Sequence, residues 1–471
     1  MTESINVDVA VLGGGPGGYT AAFRAADLGL SVCIIESRET LGGVCVNVGC
    51  IPSKALLHAT SLIEQAKLGQ SMGITFAEPQ IDLGALREHK QSKINELTKG
   101  IAGLAKARKV TRLQGQGQGQ FTSTNTLAVT GENDQIVEFK HAIIATGSHS
   151  ISLAIAPNDP RIWDSTDALA MESIPERLLI VGGGIIGLEM AQVYAALGSN
   201  ITIVEAQDHI IPSADKDLVQ PLQRATKKTY QTLTKTLVTQ MDAQPDGILV
   251  SFEGKKAPEP SLFDAVLIAV GRAPNTGNLG LDLLGVELDA KERVKVNDRM
   301  QTNVGHVYAI GDIVDGPMLA HKATHEGKVA AENIAGLDST FCPAAIPSVA
   351  YTHPELAWVG LTETEAKEQG VQYSVGKVPW LVSGRAQSVN ATNGVTKALF
   401  DAETGTLIGA GICGENAGEL IHEAGAVLEL GGRAKDIAHT VHAHPTLAET
   451  FAFAAEVVEG SMTDMLPARK K

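Results

Sequence analysis

The sequence predicts an α/β protein of several domains, and three observations carry that reading. Its 471 residues exceed what one core organises, at about 150 residues per domain. A strand, glycine turn, helix, strand and acid occur twice in the same register, the mark of parallel βαβ units. From Ile346 onward this pattern changes, which marks a last domain.

The first unit opens on the β-branched apolar run Val7 to Leu12, which ends in Gly13-Gly14-Gly15-Pro16-Gly17-Gly18. An Ala-rich helical stretch follows from Tyr19 to Leu28, and a second β-branched run, Val32 to Ile35, ends in Glu36. Gly13 permits the tight turn, Gly15 lets the backbone approach a pyrophosphate, and Gly18 lets helix and strand pack closely. The helix N-terminus offers positive potential to the phosphates.

The second unit runs from Leu178 to Val181 into Gly182-Gly183-Gly184-Ile185-Ile186-Gly187, through a helix to Leu197, and along Ile201 to Val204 to Glu205. Each acid stands 21 residues beyond its middle glycine, Glu36 after Gly15 and Glu205 after Gly184, and the copies are offset by 169 positions. One glycine fingerprint is weak evidence, but its repetition in register predicts two nucleotide sites. Each acid is placed to accept hydrogen bonds from ribose hydroxyls. A 2′-phosphate would be repelled by Glu205, and no arginine cluster follows to offset that, so the second site is expected to prefer NAD over NADP.

Further strands end at glycine: Ile143 to Gly147, Leu267 to Gly271, and Val307 to Gly311, after which Asp312 is either a plain turn residue or a polar contact. The Gln-Gly alternation from Gln114 to Gln120 reads as a glycine-bearing strand.

Composition excludes other classes. With 44% apolar and 19% charged residues, and 49 glycines in no regular period, the chain is globular rather than disordered or fibrous. Its 38 basic against 53 acidic residues, a net charge of −15, exclude a protein that tracks nucleic-acid phosphates. The basic spot at Lys106, Arg108, Lys109 and Arg112 reads as a solvated face. No cationic region precedes the first apolar run and no run spans a bilayer, so the cytosol is the expected compartment.

The five cysteines are too few and irregular for a secreted disulfide scaffold. Cys45 and Cys50, just before Ile51-Pro52-Ser53-Lys54 and a helical stretch from Ala55 to Thr60, are candidates for zinc ligands, buried structural thiols or a redox pair. Zinc would need two further ligands, and no second cysteine pair exists. A redox pair at a helix start is the better reading, because the helix dipole and Lys54 both favour a thiolate. Near the other end, His444 precedes Pro445 and is expected to cap a helix running through Glu449, whose carboxylate would reach back to the imidazole. A histidine so held suits proton exchange with a thiol. His442 reads as structural.

The run Gly42-Gly43-Val44-Cys45-Val46-Asn47-Val48-Gly49-Cys50-Ile51-Pro52-Ser53-Lys54, with His444-Pro445-Thr446-Leu447-Ala448-Glu449, closely resembles the pyridine nucleotide-disulfide oxidoreductases. The likeness extends from Val7 to near the C-terminus, through Trp163 to Asp167, Met318 to Ala323, Tyr351 to Glu355 and Asn416 to Glu419. Val44, Val46 and Ser150 depart from the common pattern without touching the chemistry. The resemblance implies two Rossmann-like dinucleotide-binding domains and a C-terminal α+β dimerisation domain. It divides the chain into 1–150 and 276–345 for FAD, 151–275 for NAD and 346–471 for the interface.

By the same resemblance, FAD would contact Gly13, Gly15, Gly18, Glu36, Lys54, Gly117, Thr146, Gly147, Ser148, Asp312 and Ala320. NAD would contact Gly182, Gly184, Ile186, Gly187, Glu205, Val238 and Gly271, and Glu189 would pair with Lys54 near the flavin. A redox disulfide would join Cys45 and Cys50, served by His444 and Glu449 of the other subunit of a homodimer. Within the family the pattern is most similar to the branch that oxidises dihydrolipoamide, with lipoyl domains and the acyltransferase core of a 2-oxo acid dehydrogenase complex as partners. Glutathione-type reductases normally carry arginines after the second fingerprint, and mercuric or large thioredoxin reductases need an added C-terminal thiol pair, whereas here Cys413 is the last and stands alone. A flavin- and NAD-binding regulator without turnover would have no need of Cys45, Cys50, His444 and Glu449 together.

Overall fold

The computed structural model describes residues 4–115, 119–131 and 134–466. Its first sheet is ordered Thr111–Gln114, Val32–Glu36, Ser4–Leu12, Gln135–Ile144, Thr126–Val129, Gly119–Ser123. The first four of these strands are parallel, and the short strand Val307–Ala309 also pairs in parallel with the end of Gln135–Ile144. The second sheet, Tyr230–Thr234, Asn200–Glu205, Arg177–Val181, Ala265–Ile268 and Ile162–Trp163, is parallel throughout. Such strands are covered on both faces, which is why Val32–Glu36 and Leu178–Val181 read as unbroken buried runs. The third sheet, Ser348–Ala350, Glu355–Gly360, Leu407–Gly414, Val395–Asp401 and Tyr373–Pro379, is antiparallel and is flanked by the helices Ala417–Glu429 and Glu449–Glu459.

The helix Pro16–Asp27 connects the first two parallel strands, and Ile185–Ala196 does the same in the second sheet, as the repeated unit requires. Residues 307–334 return the chain to the first sheet through the strand Val307–Ala309, and a buried ion pair helps hold them there. Lys322 and Glu326, at 3% and 2% side-chain exposure, meet at 2.8 Å. Glu326 accepts the Gly311 N–H at 2.7 Å, and Lys322 donates to the Gly311 carbonyl at 3.1 Å. Burial pushes the Glu326 carboxyl above its usual range. Removing either partner would strand a buried charge, at about 3–5 kcal/mol. Among the described residues, no helix is long and apolar enough to cross a membrane.

Three local expectations change. The helix at Cys50 is longer than Ala55 to Thr60, spanning Cys50–Gly69, with Pro52, Ser53, Leu56, Leu57 and Thr60 buried at helical spacing from its first turn onward. The Gln-Gly stretch is not one strand: Thr111–Gln114 stops at a bend at Gly115 (φ 63°) and Gly119–Ser123 begins anew, while residues 116–118, Gly117 included, lie outside the described residues. The C-terminal helix starts at Glu449 and not at Pro445. The Glu449 carboxylate takes the Thr446 N–H at 2.7 Å, so residues 445–448 fold as a turn.

Candidate active site

One cleft of about 2260 Å3 contains the glycine turns of both units, both cysteines of the close pair, and the ends of Ile143–Gly147, Leu267–Gly271 and Val307–Gly311. Parallel α/β sheets bring such turns to one edge because every strand ends on the same side.

The two turns are built alike. Gly13 and Gly182 take φ of 109° and 111°, and a Cβ there would lie 2.2 and 2.4 Å from the carbonyl oxygens of Ala145 and Ala269. Gly18 and Gly187 lie against the carbonyls of Gly13 and Gly182, where a Cβ would come within 1.9 and 2.2 Å. Gly15 and Gly184, the residues that cap the two helices, differ: the nearest atom to a Cβ is 3.9 Å away at Gly15 and beyond 4 Å at Gly184. Among the described residues, none demands glycine there. The space belongs to the cleft, and it fits a diphosphate approaching the helix N-termini.

Glu36 and Glu205 are buried at the turns with the same bonds. Glu36 accepts the N–H groups of Gly14 at 2.8 Å and Arg38 at 2.9 Å, and Glu205 accepts those of Gly183 and Gln207, both at 2.8 Å. Each acid therefore also holds its own glycine turn, a duty the spacing alone does not reveal. The carboxylates line the cleft, with lone pairs left over for ribose hydroxyls.

Around the first turn stand Thr146, Gly147, Ser148, Asp312 and Ala320. Thr146 donates to the Asn275 carbonyl at 2.7 Å, and Ser148 donates to Asp312 at 2.5 Å. Arg272, which the sequence reading passed over, donates to Ser148 Oγ at 2.7 Å and to its carbonyl at 2.6 Å, locking this corner. Ala320 opens the helix Ala320–Ile334. At the second turn, Ile186, Val238 and Gly271 line the cleft, whereas Gly187 packs behind it.

Cys45 lies in the short helix Gly43–Val48, and Cys50 is the first residue of Cys50–Gly69. Both are free thiols here, with Cys45 donating to Cys50. That donation, helped by Lys54, lowers the Cys50 pKa to about 7 against the opposing effect of burial, and it holds Cys45 well above the ordinary thiol range. Lys54 is one turn on from Cys50, hence on the same helix face. It is fixed by Glu189 at 2.8 and 2.9 Å, with side-chain exposures of 34% and 4%, and by the Tyr351 ring 4.6 Å away. Tyr351 also donates its backbone N–H to Glu189 at 3.2 Å. By contrast, burial pushes Cys33 and Cys413 up to about 12, where thiols are inert. In the reduced protein, alkylation of the pair is expected to rise through a midpoint near pH 7, which Cys50→Ser abolishes and Lys54→Met moves upward. A midpoint at the ordinary thiol value of about 8.5 overturns this.

His444 and Glu449 do not line this cleft within the chain. They meet each other at 2.9 Å, Nδ1 to Oε1, with the imidazole 77% exposed. His442 instead contacts Glu423 at 2.7 Å and the Thr440 carbonyl at 2.9 Å, a structural arrangement.

This geometry, two nucleotide turns facing a thiol pair, defines a flavin- and nicotinamide-type disulfide oxidoreductase site. Residues 7–327 match the pyridine nucleotide-disulphide oxidoreductase family, and residues 346–455 match its dimerisation domain. The chain belongs to this family.

It is 52% identical to the dihydrolipoyl dehydrogenase of Vibrio parahaemolyticus, over 100% of this chain and 99% of that one. It is 45% identical to that of Bacillus subtilis over 97% of each, and 43% identical to the mitochondrial dihydrolipoyl dehydrogenase 1 of Arabidopsis thaliana over 95% and 89%. The fold is shared with the crystal structure of LpdA from Mycobacterium tuberculosis, with a TM-score of 0.87, 24% identity, and 96% and 99% of the two chains covered.

Proposed function

We propose that this chain oxidises dihydrolipoamide, carried on the lipoyl domains of a 2-oxo acid dehydrogenase complex, and reduces NAD to NADH. The observation that carries this reading is the single cleft holding both nucleotide turns and the Cys45–Cys50 pair. FAD fits the first turn, held by Gly13, Gly15, Gly18, Glu36, Lys54, Thr146 to Ser148, Asp312 and Ala320; NAD fits the second, held by Gly182, Gly184, Ile186, Glu205, Val238 and Gly271. When bound, FAD would supply the two-electron chemistry that links the reduced cysteines to NAD.

The chain's own residues supply the rest. His444 accepts a proton from one substrate thiol, since only a thiolate attacks a disulfide. That thiolate attacks Cys45 of the oxidised pair, the Cys45–Cys50 bond breaks, and Cys50 leaves as the thiolate that its helix position and Lys54 favour. The second substrate sulfur, its proton passing to the departing Cys45, attacks the first substrate sulfur, breaks its bond to Cys45 and releases lipoamide, so the pair gains the two electrons the substrate loses. That His444 is exposed and outside the cleft of its own chain supports its serving the cysteines of the second subunit of a homodimer, as the family resemblance implies.

Titrating the purified protein without oxygen, first with dihydrolipoamide and then with NAD, tests the reading. Prompt appearance of a long-wavelength thiolate-flavin absorption band, followed by NADH formation on adding NAD, supports it. A protein inert to both, or one that turns over glutathione disulfide or mercuric ion with NADPH instead, overturns it.

Nucleotide choice is separately testable. Replacing Glu205 with alanine, with arginines at Ala206 and Gln207, is expected to raise NADP use at least tenfold relative to NAD. An unchanged ratio would mean that this carboxylate does not read the ribose.

A further inference from the structure

Lys397, in the strand Val395–Asp401 of the third sheet, has a side chain only 2% exposed, yet it carries a charge the proposed chemistry does not use. Its ammonium meets Asp215 at 2.8 Å and Asp217 at 2.9 Å, and it also pairs with Glu363. These carboxylates are grouped as a cation-binding set would be, and the ammonium is the cation they hold. Lys377 closes the outer side on Asp217 at 2.6 Å, and the Tyr373 hydroxyl donates to Glu363 at 3.0 Å. Burial alone would lower the Lys397 pKa, but its bonds to Asp215, Glu363 and Asp217 hold it above the ordinary range.

Asp215 is the residue that matters for the cleft. It precedes the helix Lys216–Thr226 of the second nucleotide unit, yet it accepts the backbone N–H groups of Glu363 at 2.9 Å and Thr364 at 3.2 Å, both in the C-terminal part of the chain. The helix is moored to the same third sheet: a Cβ on Gly411 would come within 2.3 Å of Leu218, and Asn393 donates to the Pro221 carbonyl at 3.0 Å. Residues 206–215 span from Glu205 to this mooring. Midway, Ile211 donates its N–H to the Gly183 carbonyl at 2.9 Å, and the Ile210 side chain packs on Gly183. Gly183 in turn donates to Glu205. Pro212 and Ser213 of this segment line the cleft.

We propose that Lys397 is a positioning residue for the second nucleotide site: by holding Asp215 against the third sheet, it fixes the 206–215 segment and, through Ile210 and Ile211, the glycine turn that receives NAD. This rests on the proposed function of that turn. Two units that could otherwise shift relative to each other are joined by a buried bond whose far end reaches the ligand cradle.

The test uses FAD-loaded dimer, fully reduced beforehand with dithionite without oxygen so that NADH binds without hydride transfer, and measures NADH binding by calorimetry beside steady-state turnover. Lys397→Met is expected to weaken NADH binding about tenfold and raise the KM for NAD to match, with FAD content and the KM for dihydrolipoamide within twofold of wild type. Lys377→Met, which loosens only the outer side, should change neither. Where Lys397→Met does not accumulate as folded protein, Asp215→Asn carries the same expectation. Unchanged NADH affinity in the folded variant, or equal weakening toward NADH and dihydrolipoamide, overturns the inference while leaving the proposed function intact. A wild-type protein that binds no NADH overturns both.

Discussion

His444→Gln is expected to lower dihydrolipoamide-dependent NAD reduction by about 10^2- to 10^4-fold, the scale of a positioned general base. A carboxylate can only accept, so the 2.9 Å contact with Glu449 places the imidazole proton on Nδ1 and leaves Nε2 as the free acceptor of the neutral ring. Glu449 cannot swing away easily, because its second oxygen takes the Thr446 N–H and its backbone begins the helix Glu449–Glu459. Glutamine keeps approximate size and polarity but cannot take up a proton. FAD content, and NADH-driven reduction of an artificial acceptor that bypasses the cysteines, should stay within twofold. Lipoamide turnover that also stays within a few-fold would remove His444 from the chemistry.

The second large effect is expected from the thiol pair. Cys45→Ser should abolish dihydrolipoamide oxidation, by about 10^3-fold or more, on the scale seen when a nucleophile is removed. A hydroxyl cannot form or receive a disulfide bond, so the substrate's electron pair has no acceptor. The serine can still donate to Cys50, so the fold around Lys54 and Glu189 should persist and NADH should still reduce an artificial acceptor. Cys50→Ser should lose the same turnover by removing the leaving thiolate. Residual lipoamide turnover in either variant above the uncatalysed rate would show that the electrons take another route.

Much of this site was legible along the chain because its parts are local. The turn Gly13 to Gly18 and the acid at Glu36 lie within one βαβ unit, and Cys45, Cys50 and Lys54 lie within ten residues. Short spacings map directly onto turns and helix faces, so the motif and its local geometry nearly coincide. His444 and Glu449 were legible as a pair for the same reason, although the helix they were expected to share starts only at Glu449.

What the reading missed joins distant segments. Arg272 on Ser148, Tyr351 on Lys54 and Glu189, and Lys397 on Asp215 each connect residues more than 100 positions apart, and nothing in a local pattern marks their partners. Lys322 and Glu326 carried a detectable signal, an opposite-charge pair four apart in a helix otherwise lined on that side by Ala323, Gly327 and Ala330, but burial alone turns it into a clamp on Gly311.

Glycine conformation, strand periodicity and helix polarity act over a few residues, so the two glycine turns, their acids, the close thiol pair and the histidine with its carboxylate could be read along the chain. The resemblance already paired Lys54 with Glu189; it took the folded chain to open both turns into one cleft, to lower the Cys50 thiol through Cys45 and Lys54 together, and to set the Tyr351 ring against Lys54. Those outcomes depend on burial and on charges brought together from remote parts of the chain, and such electrostatics exist only once water has been excluded between them.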